Sequence, residues 1–261
     1  MDLHLTRKTA VVTGGSRGIG LAITRGLAAE GVRVVFGART PPAEPKNSGV
    51  LALEVDLSTP EGPKQLADYA LEQLGGIDVL VNNLGGDGSI PDRLFPEIDD
   101  KFWYDSLKVS FLSTMRMTRA ALPSLLERQG CIIHISSVAA RVPDPAHMPY
   151  SAAKAAALNF TAAVARQYAG HGLRVNTIAP GVVNTSLWTS PGGAGDRLAK
   201  DLGIPLDEVI KVMPKLAGIP TGRVTEQEEV VALALLLASD RVPNVTGAEF
   251  VVDGAMTSAR A

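Results

Sequence analysis

The sequence predicts an α/β fold: one doubly wound, parallel β-sheet of about seven strands with helices on both faces. Three observations predict it. Short β-branched apolar runs recur along the 261 residues, helical patterns separate them, and a glycine-rich turn joins the first run to the first helix. Runs that are apolar at every position belong to strands buried on both faces, and strand–helix alternation gives parallel pairing with right-handed crossovers.

In chain order, the first strand is 9–12 and the helix after the glycine turn is 19–30. The second and third strands are 32–36 and 50–55. The short connection between them holds Pro41, Pro42 and Pro45, which lack a backbone donor and disfavour a helical residue before them, so the usual crossover helix is expected to be missing or minimal. Helix 61–74 leads to strand 79–81, helix 101–128 to strand 131–135, helix 150–169 to strand 174–178, and helix 226–239 to the closing strand 249–252. The stretch 186–221 is irregular. It contains the flexible run Ser190-Pro191-Gly192-Gly193-Ala194-Gly195 and two short helices, 196–202 and 206–213. Its length and its place near the carboxyl ends of the strands make it a candidate lid on a single domain spanning 1–261.

Composition narrows the class of function. A chain with 46% hydrophobic and 20% charged residues is globular, and a formal net charge of −2 offers no excess of cations for nucleic acid. The longest apolar run, 230–238, is far too short to cross a membrane. The single cysteine, Cys131, sits in a strand pattern and has no internal disulfide partner. It is expected to be a buried structural thiol in a reducing, cytoplasmic setting, since the residues before the first strand do not signal secretion. The four histidines are scattered, so no metal site is indicated.

The turn Thr13-Gly14-Gly15-Ser16-Arg17-Gly18-Ile19-Gly20 follows the first strand and opens the first helix. Unpaired N–H groups and partial positive charge at a helix N-terminus attract a pyrophosphate. Gly14 and Gly18 allow a tight turn and close approach, and Gly20 allows the helix to pack on the sheet. At the start of a βαβ unit this pattern marks a dinucleotide site. The second strand ends in Gly37-Ala38-Arg39-Thr40, with no carboxylate for a ribose 2′-hydroxyl. Arg39, with Arg17 in the turn, suits a 2′-phosphate, so NADP(H) is expected over NAD(H).

Tyr150-Ser151-Ala152-Ala153-Lys154 puts a phenol and an amine on one helical face. A cation about 4 to 6 Å away lowers a phenol pKa by roughly 1 to 3 units, which makes a proton donor near neutral pH. The same spacing also occurs on amphipathic helices with no such role.

Together these pieces resemble the short-chain dehydrogenase/reductase family over essentially the whole chain. Residues 13–20 match its TGxxxGxG turn and Asp56-Leu57 its acidic pair near the adenine, while Asn82-Asn83-Leu84-Gly85 looks like its NNAG. Ser137, Tyr150 and Lys154 match its catalytic serine, tyrosine and lysine. Pro180-Gly181, with Val183 and Thr185, matches its PGxxxT segment beside the nicotinamide, and Asp253-Gly254 its closing turn. Cofactor contacts are therefore implied at Gly14, Ser16, Arg17, Gly18, Ile19, Gly20, Arg39, Asp56, Leu57, Asn83, Gly85, Tyr150, Lys154, Pro180, Gly181, Val183 and Thr185.

Two positions depart from the family. Leu84 replaces a small alanine. Ser110 stands where the family has an asparagine that helps hold a water linking the lysine to solvent; a serine is shorter and has fewer donors, so the relay is kept, weakened or rerouted.

The resemblance implies hydride transfer between NADP(H) and a carbonyl or alcohol substrate, as in carbonyl reductases of ketoacyl or natural-product type. Tyr150 would supply the proton, Ser137 would orient the oxygen, and Lys154 would tune the phenol and bind the ribose. The alternatives are a cofactor-binding regulatory or scaffold protein with lapsed catalysis, or an epimerase or dehydratase on the same fold. Val142, Met148, Leu187 and Trp188 are candidates for an apolar wall of the pocket, and Arg141, Asp144 and His147 for polar contacts. In relatives, helices matching 101–128 and 150–169 form the dimer contact, which implies a homo-oligomer, dimer or tetramer.

Overall fold

The computed structural model describes residues 2–43, 48–86 and 94–257. Seven strands form one parallel sheet: β1 (Thr9–Thr13), β2 (Arg33–Ala38), β3 (Val50–Glu54), β4 (Val79–Asn82), β5 (Cys131–Ile135), β6 (Arg174–Pro180) and β7 (Glu249–Val252). Their order is β3-β2-β1-β4-β5-β6-β7, the expected doubly wound arrangement. β1, β4 and β5 are buried at every position, as their unbroken apolar runs require.

Two cores sandwich the sheet. On one face Ile23 and Leu27 of α1 (Gly18–Ala29) and Val230, Ala234 and Leu237 of α9 (Gln227–Ala238) pack on Val12, Val34 and Ile133. On the other, α2 (Gly62–Leu74), α4 (Ser113–Glu127) and α5 (Met148–Tyr168) press Leu66, Met117, Leu125 and Val164 onto Val11, Leu80 and Ile132. Cys131 lies buried, and burial pushes its thiol up to about 11, which keeps it protonated.

In the β2–β3 connection the described residues, 40–43 and 48–49, carry no helix; residues 44–47, Pro45 among them, lie outside the described residues. Among the described residues no helix is long and apolar enough to cross a membrane.

The expected helix 101–128 is broken. It consists of α3 (Asp100–Leu107), one π turn (Lys108–Leu112) and α4. Ser113 Oγ donates to the Val109 carbonyl and Thr114 Oγ1 to the Ser110 carbonyl, so side chains compete for the carbonyls of this turn. Phe111 meets Phe160 of α5 edge-on with ring centroids 6.1 Å apart, which holds the turn against α5 and leaves Ser110 buried. α5 itself begins two residues before Tyr150.

The stretch after β6 holds α6 (Ser186–Thr189), α7 (Ala194–Leu202) and α8 (Val209–Ala217). α6 was hidden in the sequence, being a single turn. Their apolar faces share a small core of Ala199, Val209, Met213 and Ile219, to which Trp188 and the near-terminal Met256 add.

Towards the carboxyl ends of the strands a polar row crosses the second core. Asn82 on β4 pairs in register with His134 on β5, and His134 with Thr177 on β6. Asn82 Nδ2 donates to Thr118 on α4 at 2.9 Å, and Thr177 lies 3.4 Å from the Thr161 hydroxyl on α5. His134 is fully buried and its ring nitrogens have no hydrogen-bond partner among the described residues. Burial first and the Lys154 ammonium second push its pKa down to about 3; the Asn82 backbone opposes this, at a geometry short of a hydrogen bond.

The folded chain therefore cannot take up the proton that the unfolded chain takes up below about 6.5, and stability is lost as pH falls from there towards 3. In urea unfolding at pH 7 and pH 4, His134→Asn should reduce the acid-induced loss by roughly 3 kcal/mol at most; an equal loss in both proteins would remove His134 as its cause.

Candidate active site

β1 and β4 are neighbours in the sheet, and the chain segments leaving their carboxyl ends frame a cleft of about 650 Å3. Thr13 at the end of β1 staples them: its Oγ1 accepts from the N–H groups of Asn83 at 2.9 Å and Leu84 at 3.0 Å. Asn83 Nδ2 in turn donates to the carbonyls of Thr13 at 2.9 Å and Gly14 at 3.2 Å. The turn then enters α1 through Gly14 (φ 70°) and Gly18 (φ 53°), both in the left-handed region that favours glycine. A Cβ on Gly20 would land on the Gly14 carbonyl oxygen and the Asn83 amide. Gly20 thus serves the close approach of the turn to Asn83, rather than the packing of helix on sheet expected from sequence.

Arg17 caps α1 in an extended conformation without a side-chain cap bond, so its own side chain does not occupy the amides at this helix start. Gly14, Ser16, Arg17, Gly18, Ile19, Gly20, Arg39, Asp56, Leu57, Asn83, Gly85 and Thr185 all line the cleft. Arg17 and Arg39 are exposed, and neither has an ion-pair partner among the described residues. Asp56 accepts from the Ser58 N–H at 2.9 Å; this bond first, and Arg39 to a smaller extent, hold its carboxyl below the usual range. A dinucleotide fits these residues: helix-start amides for a pyrophosphate, with Arg39 and Asp56 at one end and Thr185 against the turn.

The second group lies at Gly85. A Cβ there would be 3.0 Å from Lys154 Nζ and 3.9 Å from Ser110 Oγ, so both side chains border the cleft wall. Lys154 is only 3% exposed, donates from Nζ to the Ile135 carbonyl at 2.8 Å, and stands 5.8 Å from the centre of the Tyr150 ring. Burial pushes its ammonium down to about 8. Ser110 Oγ accepts from the Gly86 N–H at 3.2 Å. Ser137 caps the 3-10 turn after β5, its Oγ accepting from the Ala139 N–H at 3.2 Å, which leaves its O–H free to donate.

Several expectations change. Val183 buries its side chain in the core and bridges Thr225 through its backbone, and Thr185 lines the cleft. Pro180 and Gly181 stay tied to β7, with the Gly181 N–H donating to the Val252 carbonyl at 3.0 Å. Arg141 pairs with Glu249 and lines a separate groove between α5 and β7; its polar contact is made there. Asp144 and His147 bind each other at 2.8 Å beside the start of α5. Leu187 lines the cleft as expected, whereas Trp188 packs into the small core of α7 and α8. Sequence reasoning missed Thr13 as a staple and His134 as a buried polar group. Thr13 was visible only as a strand end, and the signal for His134 was a lone histidine in an apolar strand.

The glycine turn at the switch point of a doubly wound parallel sheet, with the Lys154 amine and the Ser110 hydroxyl beside its Gly85 wall, is the arrangement of a dinucleotide-binding protein. The family model described as short chain dehydrogenase matches residues 8–192. Over 98% of the chain it is 33% identical to glucose 1-dehydrogenase 2 of Bacillus subtilis, of which 97% is covered. Over 97% it is 31% identical to the 3-oxoacyl-(acyl-carrier-protein) reductase FabG of Vibrio cholerae, of which 99% is covered. Among solved structures it superimposes on L-sorbose reductase from Gluconobacter frateurii, a complex with NADPH and L-sorbose. The TM-score is 0.88 and the identity 31%, with 98% of each chain covered. The chain belongs to the short-chain dehydrogenase/reductase family.

Gly20→Ala forces the turn away from Asn83. It should lower the melting temperature by roughly 2 to 4 °C for each kcal/mol lost, and abolish most of the thermal protection that a nicotinamide dinucleotide gives; unchanged protection would show that the turn tolerates a side chain there.

Proposed function

We propose that this protein is an NADPH-dependent carbonyl reductase, of ketoacyl or natural-product type, in which Tyr150, Lys154 and Ser137 act on the substrate oxygen. The observation that carries this reading is Gly85, which lines the dinucleotide cleft and also borders the Lys154 ammonium, so cofactor and amine share one wall. The cofactor preference rests on Arg39 and Arg17 lining the cleft without ion-pair partners among the described residues, and a relative from Gluconobacter frateurii was solved with NADPH.

When bound, NADPH supplies the hydride. The chain's residues manage the charge that develops on the carbonyl oxygen. Ser137 donates its free O–H to that oxygen, and Tyr150 gives it a proton. Lys154 favours phenolate over phenol and thereby eases the transfer. Ser110 shares the wall beside Lys154 as part of the relay that returns a proton to the pair. The α6 to α8 stretch, with Leu187 in the cleft, acts as the lid on a single domain. A homo-oligomer, dimer or tetramer, goes with the same reading and is checked by sedimentation.

A panel of carbonyl substrates, followed by loss of the reduced-nicotinamide absorbance, tests the activity directly; no turnover of any ketone or aldehyde would refute it. Tyr150→Phe should lower kcat by about 100-fold or more while NADPH still protects against heat, and a fully active variant would take Tyr150 out of the chemistry. NADPH should protect the wild type more than NADH, and Arg39→Glu should reverse that order; equal protection by both would overturn the preference. With Lys154 an ammonium below about 8 and neutral above it, kcat/KM for reduction should fall on the alkaline side of that value. A flat profile from pH 6 to 10 would show that Lys154 does not control the proton.

A further inference from the structure

Lys154 has three N–H donors and almost no access to solvent. Among the described residues it uses one of them, on the Ile135 carbonyl. Around that carbonyl the sheet presents buried polar atoms without hydrogen-bond partners among the described residues: both ring nitrogens of His134, Oγ of Ser136 and Oδ1 of Asn82. His134 and Ser136 flank Ile135, whose own side chain lies in the opposite core, so both face the side on which α5 and Lys154 pack. Asn82 is the register partner of His134.

Leaving such atoms dry is costly, and ordered internal water commonly satisfies them with roughly 2 to 4 hydrogen bonds. The donors and acceptors here complement one another. Lys154 offers N–H groups, Asn82 Oδ1 accepts, a neutral imidazole does one of each, and the Ser136 hydroxyl does either. Beside Lys154 at the Gly85 wall, Ser110 Oγ accepts from the Gly86 N–H and keeps its own O–H to donate.

We propose that His134 is a positioning residue for Lys154: with Asn82 and Ser136 it binds an internal water that accepts a second Lys154 N–H and holds the amine at the Ile135 carbonyl, beside the cofactor cleft. This rests on the reading of Lys154 as the catalytic lysine. The groups that face it are Tyr150 on its own helix, Ser110 on the π turn, His134 and Ser136 from β5 and Asn82 on β4. Ser110, Ser136 and Asn82 have no charge to gain or lose there, burial keeps the His134 ring neutral, and Tyr150 is the remaining titratable group. Removing the water strips solvation from the ammonium, which then loses its proton at lower pH.

The test compares His134→Leu with His134→Asn, which keeps a donor and an acceptor. In His134→Leu the alkaline limb of kcat/KM should move down by about one pH unit, a roughly tenfold loss at a pH above both limbs, with the acid-side plateau retained. His134→Asn should restore the limb, as loss of packing alone would not. A high-resolution crystal structure of the wild type should show a water bonded to His134 and Asn82 that is missing in His134→Leu. An unmoved limb in folded His134→Leu, or no water at that place, overturns the proposal. Should His134→Leu not fold, Ser136→Ala takes its place with the same criterion. Lys154→Met separates the two readings: a fully active Lys154→Met overturns both, whereas an inactive one with an unmoved limb in His134→Leu overturns this inference alone.

Discussion

The pairing of β1 with both β2 and β4 is the constraint on which the rest of this structure depends. Strand order reverses at that point, so the segments leaving β1 and β4 diverge and a crevice opens above their carboxyl ends. Thr13 keeps the crevice from closing or drifting, because one hydroxyl satisfies two N–H groups at the end of β4 while its own strand continues into the glycine turn. From there geometry propagates outward. The turn fixes where α1 begins, Asn83 braces the turn, and Gly85 sits where the dinucleotide cleft meets Lys154.

A buried amine is the second organising fact. Burial works against the charged form of Lys154, while its Nζ donates to the Ile135 carbonyl, which holds the amine in place. Burial brings a lysine that would ordinarily titrate near 10.5 down to about 8, within reach of working pH. The π turn belongs to the same arrangement. It brings Ser110 to the same cleft wall as the amine, through competition from Ser113 and Thr114 for carbonyls and through the Phe111–Phe160 contact.

Much of this was legible in the sequence. The strands were legible because burial on both faces demands apolar residues at every position, and composition records that directly. The cleft residues from Gly14 to Gly20 were legible because a tight turn at a helix start needs glycine at particular places. Element ends were less so: β2 runs on to Ala38 and α5 starts at Met148, since strand pairing and capping, not apolar periodicity, decide where elements stop. The π turn was invisible, because nothing in the run 101–128 departs from a helical pattern.

The sequence by itself determined the architecture, the dinucleotide cleft and the candidate trio of Ser137, Tyr150 and Lys154, because local spacing and periodicity carry those features. Only the tertiary structure decided what surrounds them. Arg141 turned to Glu249, Val183 turned into the core, and His134 came to lie near Lys154 with its nitrogens unpaired among the described residues. These outcomes depend on which residues from distant segments meet once helices settle on the sheet. Such meetings are set by packing across the fold, and no short stretch of sequence encodes them.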